Sequence, residues 1–314
     1  MSMKRILLTG ALGQIGSELT TTLQHKYGVD NVIATDIRYS DGAFGEGARF
    51  ETLDIMDGNR LNELVKNNNV DTIIHLAAML SANAEHHPQR AWEINMTGLM
   101  NSLEVAREHD CKFFTPSSIG AFGPSTIKQS TPQVTVQRPT SMYGVSKVAS
   151  ELLCDYYYTK YGLDTRGLRF PGLISYLTPP GGGTTDYAVD IYYKAVEEGS
   201  YTSFLSEGTY LDMMYMPDAI QATVDLLEAD PSQLKNRNAY NVTAMSIEPE
   251  MIAAEIKKHI PDFTLSYDVD PVRQGIADSW PDAIDPTAAK EEFGFSPSYD
   301  LEKMTKDMLE KVQK

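Results

Sequence analysis

The sequence predicts an α/β protein built on a doubly wound parallel sheet, with a smaller, loop-rich C-terminal lobe. Three observations predict it. Short apolar runs alternate with helix-like stretches over residues 1–170, the pattern of a parallel sheet covered on both faces. Three glycines, Gly10, Gly13 and Gly16, lie between the first apolar run and the first helical stretch. Beyond Phe170 the alternation breaks at Pro171, Pro179, Pro180 and the glycines at 181–183.

The elements follow in order. Strands are predicted over Lys4–Thr9, Asn31–Asp36, Ala48–Leu53, Asp71–His75, Cys111–Ser117 and Asp164–Phe170. Each is short, apolar and bounded by turn residues. Helices are predicted over Gly13–Tyr27, Leu61–Asn67, about Pro88–His109 and about Tyr143–Tyr161, where apolar residues recur at three- and four-residue intervals. In the second half, helices are expected over Asp186–Glu198, Pro217–Glu228 and Pro249–His259, with a terminal amphipathic helix from Leu301. Short strands are expected over Thr209–Met214 and Asn238–Val242. Residues 1–170 are read as the nucleotide domain and 171–314 as mainly the substrate lobe. The segment at about 210–243 returns to the first domain, so the lobe is discontinuous.

Composition narrows the function. The 314 residues carry 27 basic and 43 acidic side chains, a formal charge of −16, and 42% are hydrophobic. That balance supports a sizeable core and opposes binding to nucleic acid or an anionic membrane. The apolar run Ile6–Leu8 is too short for a signal peptide or a span, so the protein is expected in the cytoplasm. Cys111 and Cys154 are expected free and buried. No Cys/His cluster has metal-ligand spacing, and adjacent His86 and His87 point different ways on a helix, so no metal is expected.

The glycine segment GALGQIG follows a strand and opens a helix. In that context Gly10 allows a tight turn, Gly13 admits a pyrophosphate, and Gly16 lets helix and sheet approach. Gln14, Ile15 and Gly16 bring the helix N-terminus, with its free N–H groups, to the phosphates. Asp36 ends the second strand, where a carboxylate accepts from ribose hydroxyls and repels a 2′-phosphate. The cofactor is therefore read as NAD, with nearby Arg38 as the feature favouring NADP. Asp54 either reaches the adenine or closes a turn. Leu76, Ala77 and Ala78 in HLAA are small enough to let a cofactor pass.

TSMYGVSK places Tyr143 and Lys147 on one helical face. A tyrosine of pKa about 10 is a poor base at neutral pH, and a neighbouring ammonium lowers that value. GALGQIG, HLAA, PSSIGAFG and YGVSK together resemble the extended short-chain dehydrogenase/reductase superfamily, whose nucleotide domain is an NAD(P)-binding Rossmann fold. The resemblance implies that Tyr143, Lys147 and Ser118 are catalytic, with Ser117 the competing serine. It implies a cofactor site including Ile37, Ile55, Asn95 and Ser117 beside the residues above, and a homodimer whose Asn95 and Tyr143 helices pack with their mates.

The later stretches PPGGGTTDYAVDIYYKAVEEGSYTSFL, YLDMMYMPDAI and VRQGIADSWP resemble the short-chain type of L-threonine 3-dehydrogenase. That resemblance implies L-threonine as substrate and NAD-linked oxidation of its 3-hydroxyl to 2-amino-3-ketobutyrate. It implies substrate contacts at Ser81, Ser118, Tyr143, Gly182 and Thr184 or Thr185. The three glycines are expected to offer free backbone donors and a hinge, or to form a loop with Thr185 capping the next helix. Asp186 and Asp212 either face the substrate ammonium or, as is commoner, are solvated or capping carboxylates, and Trp280 is read as packing in the small lobe. A nucleotide-sugar epimerase or dehydratase is the alternative within the superfamily; Pro171 and the lack of a basic cluster weigh against it. A non-catalytic NAD(H)-sensing binding protein is the alternative of another class; the retained Ser, Tyr and Lys oppose it.

Overall fold

A computed structural model describes residues 3–40, 42–178 and 182–313. Pro179, Pro180 and Gly181 of the proline–glycine segment lie outside the described residues. The first half runs β1 (Ile6–Thr9), α1 (Gln14–Tyr27), β2 (Val32–Asp36), β3 (Arg49–Thr52), α2 (Gly58–Asn68) and β4 (Thr72–His75). It continues with α3 (Ser81–His86), α4 (Pro88–Trp92), α5 (Gly98–Glu108), β5 (Lys112–Phe114), β6 (Ser117–Ser118), α6 (Met142–Tyr161), β7 (Thr165–Arg166) and β8 (Leu168–Phe170). The second half runs β9 (Gly172–Ile174), α7 (Tyr187–Glu198), β10 (Ser200–Ser203), β11 (Leu211–Tyr215), α8 (Met216–Glu228), β12 (Tyr240–Asn241) and β13 (Met245–Ile247). It ends with α9 (Pro249–Lys257), β14 (Thr264–Tyr267), α10 (Pro271–Asp278), α11 (Thr287–Phe293) and α12 (Leu301–Val312).

The main sheet has the order β3-β2-β1-β4-β5-β7, with every pair parallel. The order reverses at β1, which pairs with both β2 and β4, so the connections leaving β1 and β4 turn to opposite sides of the sheet and open a crevice beyond their carboxyl ends. Both faces are covered. Leu19 and Leu23 of α1 pack with Ala219 and Ile220 of α8 on one side. Leu61 of α2, Leu103 of α5 and Tyr157 of α6 pack on the other. The later lobe has its own core, including Tyr187, Tyr192, Ile252, Trp280 and Met304.

The expected sixth strand is two strands. Gly167 leaves no room for a side chain, because a carbon added there would lie 2.5 Å from the Asn238 carbonyl oxygen. The chain changes partners at that point: β7 stays in the main sheet, and β8 lies between β6 and β12 in a separate one. The long helix after β4 is interrupted by a π turn over Glu93–Thr97, between α4 and α5. Such turns insert one residue into the ladder and re-aim a side chain, and Asn95 is inside this one. Cys111 and Cys154 are free and buried. Among the described residues, no helix is long and apolar enough to cross a membrane.

Candidate active site

The glycine turn is shaped for close approach. Gly10 has φ +71°, and a carbon added there would lie 2.8 Å from the Ala77 nitrogen. One added at Gly16 would lie 2.2 Å from the Gly10 carbonyl oxygen. Gly13 precedes α1 without a side-chain cap, so the first-turn N–H groups at Gln14 and Ile15 lack intrahelical acceptors. The Gln14 side-chain amide nitrogen is also buried without a partner. Asp36 reaches this turn: one carboxylate oxygen accepts from Leu12 N at 3.0 Å. The other accepts from Arg38 N at 3.0 Å and Arg38 Nε at 3.1 Å. Unfilled donors beside a glycine cradle, with a carboxylate at the strand end, fit a dinucleotide.

The other expected cofactor contacts differ in their roles. Ile37 is exposed, and Ile55 is buried against Gly98. Asp54 closes its own turn by accepting from Met56 N at 2.9 Å, and it faces solvent. Leu76, Ala77 and Ala78 line a cavity of about 10 Å³ with Asn95, Ser146 and Lys147. Asn95 is a brace: its amide accepts from Met79 N at 2.7 Å and donates to Met79 O and Ser146 Oγ, both at 3.2 Å. It ties the segment after β4 to α6.

Helix α6 is capped at its start. Ser141 Oγ accepts from Gly144 N at 3.1 Å, and Glu85 of α3 accepts from Met142 N at 2.6 Å. Nothing in the sequence singles out Glu85, because 57 residues separate it from Met142. Tyr143 therefore projects from a fixed first turn. Its phenol faces Ser118, whose influence lowers its pKa, while burial, the larger cause, pushes that pKa up to about 12. Ser118 Oγ also accepts from Gly120 N at 3.1 Å. Ser117 is directed elsewhere, donating to the Glu151 carboxylate. Of the two serines, Ser118 is the one beside Tyr143.

Lys147 lies one turn on. Its ammonium donates to Pro116 O at 2.7 Å and lies 5.4 Å from the Tyr143 ring centre. Burial pulls its pKa down to about 8, with Glu151 acting to raise it. His75, at the end of β4, is held neutral: burial first, then Lys147, push its pKa to about 3. Its Nδ1 is shared by Thr9 Oγ1 and Ser102 Oγ, both at 3.1 Å.

On the lobe side, Ser81 Oγ and Thr184 Oγ1 come within 3.4 Å, both residues buried. Trp280 belongs to the lobe core and also reaches the site. A carbon added at Gly120 would lie 3.2 Å from the Tyr143 ring and 3.4 Å from that of Trp280.

Three expectations need correction. Gly182 and Gly183 do not offer free backbone donors, because Asp186 accepts from both, at 2.8 and 2.6 Å. Thr185 does not cap α7 through its side chain; the cap position is Asp186, and its carboxylate turns back to the glycines. Asp212 faces no ligand, since it is buried and binds Thr243 Oγ1 and Ile284 N. Among the described residues, no group of three His, Cys, Asp or Glu could hold a metal ion.

Comparison with known proteins supplies context for this geometry. The NAD dependent epimerase/dehydratase family matches residues 6–243. An uncharacterized epimerase/dehydratase of Staphylococcus saprophyticus is 61% identical, over 99% of this chain and 98% of that protein. The crystal structure of L-threonine dehydrogenase from Clostridium difficile is 62% identical with a TM-score of 0.97, covering 100% of this chain and 98% of that one. The holo form of a GalE-like L-threonine dehydrogenase from Cupriavidus necator is 47% identical with a TM-score of 0.95, covering 98% and 99%.

Proposed function

The chain belongs to the NAD dependent epimerase/dehydratase family, with NAD as its cofactor, and from that premise we propose that it oxidises L-threonine at its 3-hydroxyl to 2-amino-3-ketobutyrate. The observation that carries the reading is the full-length similarity to L-threonine dehydrogenases, at 62% identity for the Clostridium difficile enzyme. The polar groups agree with it. Arg169 of β8, two residues before Pro171, is bidentate to Glu151 and so is not free to hold a sugar-nucleotide phosphate. Ser81 and Thr184 present hydroxyls suited to a small zwitterion.

In this reading Gly10, Gly13, Gln14, Ile15 and Gly16 hold the pyrophosphate, and Asp36 holds the adenosine ribose. When bound, NAD accepts a hydride from the substrate carbon. Ser118 holds the 3-hydroxyl oxygen, and the Tyr143 phenolate removes its proton. A phenol at about 12 is mostly protonated near neutrality. Lys147 acts by keeping positive charge beside it, which favours the phenolate. Ser81 and Thr184, with Gly182 and Thr185 nearby, orient the amino acid. Trp280 walls the site and limits its size.

A homodimer through α4–α5 and α6 is part of the proposal. Leu152 and Tyr156 on α6 are 61% and 51% exposed, and Trp92 and Met100 lie exposed on the neighbouring helical run. An apolar stripe of this kind marks an interaction face. The test of function is NADH absorbance on mixing protein and NAD⁺ with L-threonine, D-threonine, L-serine or UDP-galactose. A rise confined mainly to L-threonine is expected. No rise with any amino acid would reject the proposal.

A further inference from the structure

The strand that carries Ser118 is not part of the main sheet. Among the described residues β6 pairs only with β8, Ser117 opposite Arg169 and Ser118 opposite Phe170. Its placement against α6 rests on three side-chain ties. Lys147 holds Pro116 O, Ser118 meets Tyr143, and Ser117 donates to Glu151. The third tie ends on a carboxylate whose acceptor sites are all used. Glu151 Oε1 accepts from Ser117 Oγ and, at 2.9 Å, from Arg169 Nε. Its Oε2 accepts from Arg169 Nη2 at 2.8 Å and Gln137 Nε2 at 2.9 Å. The Glu151 and Arg169 side chains are 6% and 8% exposed. Arg169 is fixed in turn by Gln133 O, by Asn241 Oδ1 and by the face of Phe122.

A buried ion pair adds little net stability compared with an apolar pair of the same shape, but a fully satisfied network fixes geometry. Here the geometry fixed is the distance between the serine strand and the tyrosine helix. Glu151 also lies one turn after Lys147, on the same face of α6. The charged and titratable groups about this centre are Arg169 from β8, His75 from β4, and Tyr143, Lys147 and Cys154 from α6. Two carboxylates of α6 face this set: exposed Asp155 acts on Cys154, and buried Glu151 acts to raise the pKa of Lys147.

We propose that Glu151 is a positioning residue: clamped by Arg169, its carboxylate locks the Ser117–Ser118 strand onto the helix of Tyr143 and Lys147. The inference rests on the Ser–Tyr–Lys reading of the site given above, and not on the identity of the substrate. It does not assign Glu151 any contact with substrate or cofactor.

The test uses the full chain carrying Glu151→Gln, an amide of the same shape that cannot receive Arg169 on both oxygens. NADH formation from L-threonine should fall about 10²-fold in kcat, the scale of a 1 Å misplacement, with KM and NAD affinity nearly unchanged. The rising limb of the pH profile should move upward, because a neutral lysine no longer favours the phenolate. Should Glu151→Gln not fold, Glu151→Gln/Arg169→Met removes both charges together, a change that leaves folding nearly neutral in comparable pairs. It should show the same loss of kcat. A second readout needs no substrate: crystal structures of the Glu151 variants should show the Ser117–Ser118 strand displaced from α6, with Ser118 drawn away from Tyr143. If wild-type protein fails to oxidise threonine but this displacement still appears, the threonine reading fails and the positioning role stands. An undisplaced strand in a folded variant overturns the positioning role, as does an unshifted pH limb with normal kcat.

Discussion

Replacing Gly16 by alanine tests the glycine cradle with one methyl group. The added carbon would lie 2.2 Å from the Gly10 oxygen, 2.8 Å from Ala11 Cα and 2.9 Å from Ala11 C, where ordinary contact begins at 3.4 Å. All three neighbours are backbone, so no rotamer change relieves the clash. Helix α1 must lift from the turn by roughly 1 Å, an overpacking cost of about 1–3 kcal/mol. The first-turn N–H groups move with it, away from the phosphates. The displacement also pulls on the lobe, because Ser17 of α1 bonds Thr178 at 3.0 Å and Glu18 accepts from Ser175 at 2.5 Å. NAD affinity, read by titration calorimetry, should weaken by about 5- to 150-fold, the equivalent of that cost. Gly275→Ala is the matched control: nothing lies within 4 Å of the added carbon, and the site is inside α10. It should leave NAD affinity unchanged and stabilise the fold by up to about 1 kcal/mol. A Gly16→Ala protein that binds NAD and melts like wild type would refute the close-packing argument.

Other expectations follow from the same geometry. Tyr143→Phe should bind NAD normally and lose about 10²- to 10⁴-fold in kcat, checked by steady-state kinetics. Lys147→Met should also lose activity, yet melt higher near neutral pH. The folded pKa of Lys147 is depressed to about 8, so its ammonium opposes folding below that value. Removing it returns about 1–2 kcal/mol after the lost Pro116 bond is counted. Asp212 carries the opposite sign. Its folded pKa is raised to about 7, so its contribution is complete below about 4 and is lost as pH rises through 7. Melting temperatures of Asp212→Asn should therefore fall less than those of wild type between pH 5 and 8. Leu152→Glu puts a charge into the exposed stripe of α6, and light scattering should report a monomer, against the dimer proposed for wild type.

Much of this site is legible in the sequence, because its signals are local. The glycine turn, the Asp36 strand end and the Tyr143–Lys147 pair each depend on residues within one turn or one strand. The choice of Ser118 over Ser117 needs the fold, since only the position of Glu151 shows where Ser117 is engaged. The meeting of Ser81 with Thr184 spans 103 residues and leaves no periodic trace. Asp186 shows the limit of composition-based reasoning: a glycine run reads as free donors until the carboxylate three and four residues on is seen to occupy them. The division at Gly167 is hidden for a similar reason. LRF and the preceding TR read as one strand, and the intruding carbonyls come from Asn238 and Thr115.

The central claim is that C3 of L-threonine loses its hydrogen to NAD⁺ at the Ser118–Tyr143–Lys147 site. L-threonine deuterated at C3 tests it directly, with the nicotinamide product analysed by NMR. The account predicts NADH carrying that deuterium on the nicotinamide ring, made by wild type and nearly absent with Tyr143→Phe. Unlabelled NADH, or no NADH from the wild-type protein, would contradict it.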